Sequence, residues 1–521
     1  MYEHIPPTYP TLSALLSARA REQGSRAFLV FGGRTTDFRT AEDRVALLAG
    51  GYRAAGIESG ARVAIMMPNS ERWPLAWIAL GRIGAIAVPV NTKVLDADLA
   101  HILRDSGATH VLAAEEFRGL IERVGTTLDH PPTPIWFGGA DAPSAWETGL
   151  GERIADGDVD VAADDLANLQ YTSGTTGLPK ACMLSHRYWL DFGATLADSW
   201  GVNQDDVDLT AQAFSYVDPM WNVALCLIAG IPLVILPKFS ASGFWADVRS
   251  HGVTFFYCIA TMPVYMYAQP ATPADRDNKV RFVYCSAIPK HLHRDFEERW
   301  GQPWRETYGS TEMGCDTVAP IDDTASVGTG SVGSLVATKE ARLIGPDGAD
   351  VGEGEIGELL VRGRPAMSGY WNNPEATAAV LDADGWFHTG DLAHRDARGN
   401  YYLAGRVKEV IRRGGENISA TEVESVIATF EAVELAAVVG VEDEALGEEV
   451  KAFVQPKAGH EIDPSALHGY LQERIAGFKV PRYIAVSESL PLTVSEKVAK
   501  SELRRDDGAT PTWDAKALAW L

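Results

Sequence analysis

The chain has 521 residues, 46% hydrophobic and 22% charged, enough to bury an ample core and more than one domain at about 150 residues each. Its 46 Lys and Arg against 70 Asp and Glu leave a formal charge of −24, a surface that repels nucleic acid and anionic membranes and argues against both as partners. The cysteines Cys182, Cys226, Cys258, Cys285 and Cys315 are scattered with no C-x-x-C pair, which argues against a disulfide framework or a structural zinc site and fits a reducing cytoplasm.

The first residues lack a basic region followed by an apolar run, so no signal peptide is expected. Leu12, Leu15 and Leu16 behind Thr11 as N-cap begin an amphipathic helix, and Val45, Leu47 and Leu48 mark another, ended near Gly50-Gly51 or Gly56. A buried-type strand at 63–67 precedes a Trp-rich helix over 70–84. Strand 86–90, helix 97–105 and strand 110–113 follow. Residues 131–164, rich in Pro, Gly, Ala and Asp, read as an irregular connection. A helix is expected over 185–189, and the most apolar segment, 224–236, is broken by Gly230 and Pro232 into a helix and a strand. No uninterrupted apolar stretch approaches the ~20 residues needed to span a bilayer. Strand 233–236, helix 244–250 and strands 254–258 and 280–285 complete a second round of βαβ units, which implies a mainly parallel sheet.

From 328 the pattern changes to short strands with turns such as Gly345-Pro346-Asp347-Gly348, a β-rich subdomain over about 328–400. After Gly405-Arg406 it changes again: helix 420–429, strands 435–441 and 449–454, helix 464–475. The expected class is α/β: a large N-terminal domain over 1–405, a hinge at 406–410, and a small mobile α+β domain over 411–521.

Five stretches carry chemistry. Thr172, Ser173, Gly174, Thr175, Thr176, Gly177 and Lys180 combine glycines that turn backbone N–H groups inward, hydroxyl donors and a point charge, the equipment of a phosphate grip. The G-x-x-x-x-G-K-[ST] spacing of the common P-loop is absent. In Tyr308-Gly309-Ser310-Thr311-Glu312 an aromatic ring can stack on a purine, Thr311 can donate to a phosphate and Glu312 can hold Mg²⁺. Asp391, after Gly385-Trp386-Phe387-His388-Thr389-Gly390, suits acceptance from two ribose hydroxyls, and Arg406 offers a guanidinium to the same ribose or the α-phosphate. Lys408 and the pair Gly414-Gly415 read as a hinge and a close-approach surface. Lys497 closes the run Pro491-Leu492-Thr493-Val494-Ser495-Glu496.

In order and spacing these motifs resemble the adenylate-forming superfamily of acyl-CoA synthetases, peptide-synthetase adenylation domains and luciferases, over nearly the whole chain. The resemblance implies that residues 172–180 hold the β- and γ-phosphates of ATP and that Ser286-Ala287 and Tyr308 lie against the adenine. It makes Lys408 the pivot between two catalytic conformations, turns Gly414 and Gly415 toward a pantetheine tunnel, and has Lys497 bind carboxylate and α-phosphate oxygens. Glu496 stands where many relatives have Gly. Ser215, after Phe214, stands where many acyl-CoA synthetases carry His. Tyr216, Trp221, Tyr257, Cys258, Thr261 and Met262 are expected pocket walls.

The implied activity is an ATP- and Mg²⁺-dependent acid–thiol ligase with CoA as co-substrate, of the carnitine/crotonobetaine-CoA ligase type, partly from Pro237-Lys238-Phe239-Ser240-Ala241-Ser242 and Ala260-Thr261-Met262-Pro263. The aromatic pocket favours a short or aromatic acid. Transfer to a carrier protein or an amine, or activation of an oxyanion such as nitrite, is the alternative. A nucleotide-binding regulator would show damage at Lys497 or Asp391, and neither is damaged. Monomer and homodimer both remain open.

Overall fold

The computed structural model describes residues 9–138, 152–172, 179–259, 261–414, 416–492, 498–505 and 510–520. Two compact units divide the chain: residues 1–174, 178–341 and 361–387 form the larger, and 175–177, 342–360 and 388–521 the smaller.

The larger unit carries β1 (Ala27–Phe31), β2 (Arg34–Asp37), β3 (Arg62–Met66), β4 (Ile86–Pro89), β5 (His110–Ala114), β6 (Thr133–Phe137), β7 (Leu166–Thr172) and β8 (Lys180–Ser185). These continue as β9 (Asp208–Thr210), β10 (Leu233–Ile235), β11 (Phe255–Ile259), β12 (Phe282–Ser286), β13 (Trp304–Ser310), β14 (Gly314–Val318) and β15 (Ser331–Leu335). One sheet is six-stranded, in the order β6-β5-β3-β4-β7-β8, parallel throughout except where β8 runs antiparallel to β7. Within this unit the second sheet runs β15-β14-β13-β12-β11-β9-β10-β1-β2, parallel from β13 to β1 and antiparallel at both ends. Helices between successive parallel strands cover both faces, so the strands read as continuous apolar runs.

Helix starts follow their caps. Thr11 Oγ1 accepts the Ala14 N–H at 3.0 Å ahead of the helix Leu12–Gln23, and Ser185 Oγ accepts from Tyr188 at 3.2 Å ahead of His186–Ser199. Gly230 at φ +67° ends the helix Val217–Ala229. Gly50 and Gly51, one of the two expected stops, are instead buried inside the helix Phe38–Ala54. A second difference lies at 131–164. The Pro-rich start of that stretch contains β6, because Ile135 and Phe137 are buried and the whole strand pairs with β5.

The smaller unit has its own core. There β16 (Phe387–Arg395) and β17 (Tyr401–Arg406) pair antiparallel. A seven-stranded sheet runs over Val410–Arg413, Glu416–Ser419, Val433–Asp443, Gly447–Pro456, Tyr483–Val486, Thr512–Asp514 and Ala519–Trp520. The helices Ala420–Ile427 and Pro464–Gln472 pack Val423, Ile427, Leu467 and Leu471 against one face of it, and Ala437, Val439, Phe453, Leu490 and Leu503 form a separate cluster. No described helix is long and apolar enough to cross a membrane. All five cysteines are buried free thiols.

Candidate active site

In open α/β sheets, ligands gather at the carboxyl ends of parallel strands. Thr172 ends β7, Ser286 ends β12 and Ser310 ends β13, so three of the expected motifs sit at such ends.

Thr172 pairs directly with Lys180 across the antiparallel β7–β8 ladder, which holds the two ends of the phosphate-grip segment side by side. Ser173, Gly174, Thr175, Thr176 and Gly177 themselves lie outside the described residues, as do Gly415 and Lys497. The segment ending at Trp371 docks on the β8 edge: Ser368 and Trp371 donate to the Met183 and Ala181 carbonyls, and Met183 donates to Gly369. That docking lays the Tyr370 ring under Lys180, whose Nζ is 4.6 Å from the ring centroid. The Tyr370 hydroxyl donates to Glu312 Oε1 at 2.8 Å. Lys180 and Glu312, taken from two separate motifs, are therefore joined by a tyrosine that sequence reasoning missed. Burial, and next the Glu312 charge, push the Tyr370 hydroxyl far up, so it stays a donor at neutral pH.

Tyr308, Gly309 and Ser310 complete β13, and 311–313 turn into β14. The motif is a hairpin corner. Gly309 is required there because a Cβ would meet the Gly314 carbonyl oxygen at 2.0 Å. The Ser310 hydroxyl accepts from Met313 at 3.1 Å, and the Thr311 carbonyl accepts from Tyr188 at 2.9 Å. Together these fix the backbone on both sides of Glu312.

Beside this corner, Ala287 takes φ +67°, a strained value for a residue with a side chain. Glu306 on β13 holds it there by accepting the Ala287 and Ile288 N–H groups at 2.9 and 2.6 Å. Burial raises the Glu306 carboxyl to about 8. This residue too went unread, because an acidic residue in a strand carries no pattern of its own. Ser286 donates to the Thr307 carbonyl at 2.9 Å and accepts from Tyr257 at 2.8 Å.

Alternation along β11 separates the expected pocket walls. Tyr257 meets Trp221 edge-on, ring centroids 5.2 Å apart, while Cys258 points the other way into the hydrophobic core. Met262 is buried in that same core, so neither Cys258 nor Met262 forms a pocket wall. Thr261 opens the half-buried start of the helix Thr261–Tyr267. Tyr216 accepts from Asn91 at 3.0 Å, and the Ser215 hydroxyl is buried without a hydrogen-bond partner among the described residues.

In the smaller unit, Asp391 lies opposite Arg406 in the β16–β17 register, and Oδ1 accepts from Nε at 2.7 Å. Gly390 at φ +69° turns the backbone just before it, and Thr389 Oγ1 accepts the Asp391 N–H at 3.0 Å. Lys408 sits in a short 3₁₀ turn, Val407–Glu409, and its carbonyl accepts from Arg504 at 3.3 Å. The neighbouring Glu409 pairs with Lys500 at 2.8 Å. Gly414 takes φ +58° and donates to the Leu446 carbonyl at 2.8 Å.

The AMP-binding enzyme family matches residues 16–371, and the AMP-binding enzyme C-terminal domain matches residues 422–497. The chain belongs to that family. It is an adenylate-forming acid–thiol ligase of the AMP-forming acyl-CoA synthetase type. A feruloyl-CoA synthase from Amycolatopsis sp is 33% identical over 497 residues, 94% of this chain and 98% of that protein. A crotonobetaine/carnitine–CoA ligase from Citrobacter koseri is 30% identical over 510 residues, 93% of this chain and 97% of that protein. Among solved structures, ATP-bound MatB from Rhodopseudomonas palustris matches with a TM-score of 0.86 at 27% identity, covering 95% of this chain and 98% of that one. The o-succinylbenzoate-CoA synthetase of Bacillus subtilis with its acyl-adenylate gives 0.85 at 26%, over 95% and 98%. These matches agree with the mixed α/β architecture expected for an AMP-binding enzyme.

Proposed function

We propose that the chain adenylates a short or aromatic carboxylic acid with ATP and passes the acyl group to the thiol of CoA. The observation that carries this reading is the Lys180–Tyr370–Glu312 array, which joins the start of β8 to the β13–β14 corner. It sets a cation and a carboxylate at fixed positions, as a nucleotide polyphosphate and its metal require. Among the described residues no group of three or more His, Cys, Asp or Glu is placed to hold a metal. A lone carboxylate such as Glu312 fits Mg²⁺ held jointly with phosphate oxygens and water, the usual manner for this ion beside a nucleotide. When bound, the ion would neutralise charge on the departing pyrophosphate.

In this reading the substrate carboxylate attacks the α-phosphorus, the bond to the β-phosphate breaks, and acyl-AMP and pyrophosphate form. Thr172, residues 173–177 and Lys180 grip the β- and γ-phosphates. Ser286, Ala287 and Tyr308 face the adenine, Ser310 and Thr311 border the phosphates, and Asp391 with Arg406 takes the ribose. Lys497 binds the carboxylate and α-phosphate oxygens as charge develops. The small domain then turns about Lys408, and the CoA thiol, approaching past Gly414 and Gly415, displaces AMP and gives up its proton. Ser215, Tyr216, Trp221, Tyr257 and Thr261 bound the acid.

The test is purified enzyme with ATP, Mg²⁺, CoA and an acid panel, scored by pyrophosphate exchange and product mass. Acyl-CoA from short or aromatic acids is expected. A long-chain acyl-CoA as dominant product would overturn the acid class, and free adenylate without thioester would overturn the acceptor. Lys497→Ala should lower exchange by ~10²–10³-fold or more with an unchanged circular dichroism spectrum, and exchange at the native rate would remove Lys497 from the chemistry.

A further inference from the structure

The aromatic wall assigned to the acid carries a charge that the activation chemistry does not use. Asp218 stands, half-exposed, in the first turn of the helix Val217–Ala229. An acidic residue there is favoured by the helix dipole alone. Its carboxylate nevertheless turns along the helix to the wall: Oδ1 accepts the Trp221 indole N–H at 3.2 Å. Trp221 meets Phe192 at 6.0 Å and Tyr257 at 5.2 Å between ring centroids. Burial, and next the Asp218 charge, push the Tyr257 hydroxyl well up, which places the carboxylate within electrostatic reach of that phenol.

A second observation lies at the start of the same loop. Gln170, on β7 and 2% exposed, donates from Nε2 to the Ser215 carbonyl at 2.6 Å. Its own Oε1 and the Ser215 hydroxyl are buried with no hydrogen-bond partner among the described residues. Buried acceptors left unmade are costly, and each one calls for a ligand or a water. Gln170 shares a face of β7 with Thr172, two residues on, so this orphaned oxygen belongs to the site end of the strand.

We propose that this face selects an acid whose far end is electropositive, an ammonium or a hydroxyl donor on a short or aromatic skeleton, with Asp218 as the specificity-determining residue. The inference rests on the ligase reading and names the substrate class of the same pocket. Aromatic faces beside a carboxylate attract a cation, and Gln170 Oε1 supplies a further acceptor for a donor group. A second carboxylate on the acid would stand against Asp218 at short range and be repelled. A plain alkyl tail would strip water from Asp218 and replace none of its hydrogen bonds.

The experiment is pyrophosphate exchange by the full chain with four-carbon acids that differ only at C4: butanoate, 4-hydroxybutanoate, 4-aminobutanoate, 4-(trimethylammonio)butanoate and succinate. Benzoate, 4-hydroxybenzoate, 4-(aminomethyl)benzoate and terephthalate form the aromatic series. In each series kcat/KM should be at least about tenfold higher for the ammonium or hydroxyl acid than for the unsubstituted one, and lowest for the diacid. Asp218→Asn keeps the shape and removes the charge, so the preference for ammonium over unsubstituted acid should fall about tenfold. Because that preference is a ratio within one protein, partial unfolding of the variant cancels. A native preference for the diacids, or a ratio that Asp218→Asn leaves unchanged, would overturn this inference while the ligase reading stands. Exchange with no acid at all would overturn both.

Discussion

Tyr370 decides where Glu312 points. Its hydroxyl is 2.8 Å from one carboxylate oxygen, and its ring lies under Lys180. Tyr370→Phe keeps the ring and removes the donor. Losing a hydrogen bond to a charged group is worth about 1.5–3 kcal/mol, so the Mg²⁺ needed for half-maximal exchange should rise roughly tenfold. Glu312→Gln should raise it further. Mg²⁺ titrations that superimpose on the native curve would reduce Glu312 to a structural residue. Glu306 gives a different signature. Burial lifts its carboxyl to about 8 from an ordinary value near 4.5, so the folded state holds this proton where the unfolded chain has released it. Its contribution to stability is complete below the unfolded value and is lost as pH climbs through about 8. Urea midpoints of native protein and Glu306→Gln, compared between pH 5 and 9, should therefore converge as pH rises. Curves of constant separation would mean Glu306 is already ionised in the fold. Lys180 and Glu312 were legible in the sequence because each stands in a run of small and hydroxyl residues. Tyr370 and Glu306 were not, because their roles depend on partners that only the folded chain supplies.

At the scale of elements, Gly309 ties motif to architecture. A methyl group there would meet the Gly314 carbonyl oxygen at 2.0 Å, and both atoms belong to paired backbone that cannot step aside. Gly309→Ala should cost about 1–3 kcal/mol by overpacking and spread the β13–β14 corner that carries Glu312. Thermal unfolding would read the first effect and Mg²⁺ dependence the second, and a native melting temperature would contradict the contact. The helix behind Thr11 could be placed from sequence because a hydroxyl N-cap precedes Leu12, Leu15 and Leu16, all of them buried. The strand Thr133–Phe137 could not, since its proline and surrounding turn-formers masked an alternation that pays off only beside β5. The same alternation on β11 turned Cys258 to the core and set Tyr257 against Trp221.

At the scale of the molecule, each unit holds its own hydrophobic clusters, so calorimetry should resolve two transitions, with the smaller unit's endotherm insensitive to Gly309→Ala. A single cooperative endotherm would show that the units stabilise one another. Lys408→Pro fixes φ in the short Val407–Glu409 turn and removes an N–H donor. Adenylate formation should survive this change and thioester formation should fall, and equal loss of both would make Lys408 a folding residue.

The buried thiols have a practical side. A thiolate is what alkylating reagents attack, and burial holds the Cys182, Cys226, Cys285 and Cys315 thiols in the protonated form. Native protein should stay dark to a maleimide dye at neutral pH, while urea-unfolded chain takes up five equivalents. The chain is in effect already blanked for fluorescence: a cysteine added to the surface of each unit would carry the only dyes, and energy transfer between them would report, molecule by molecule, whether the distance between the units changes during turnover.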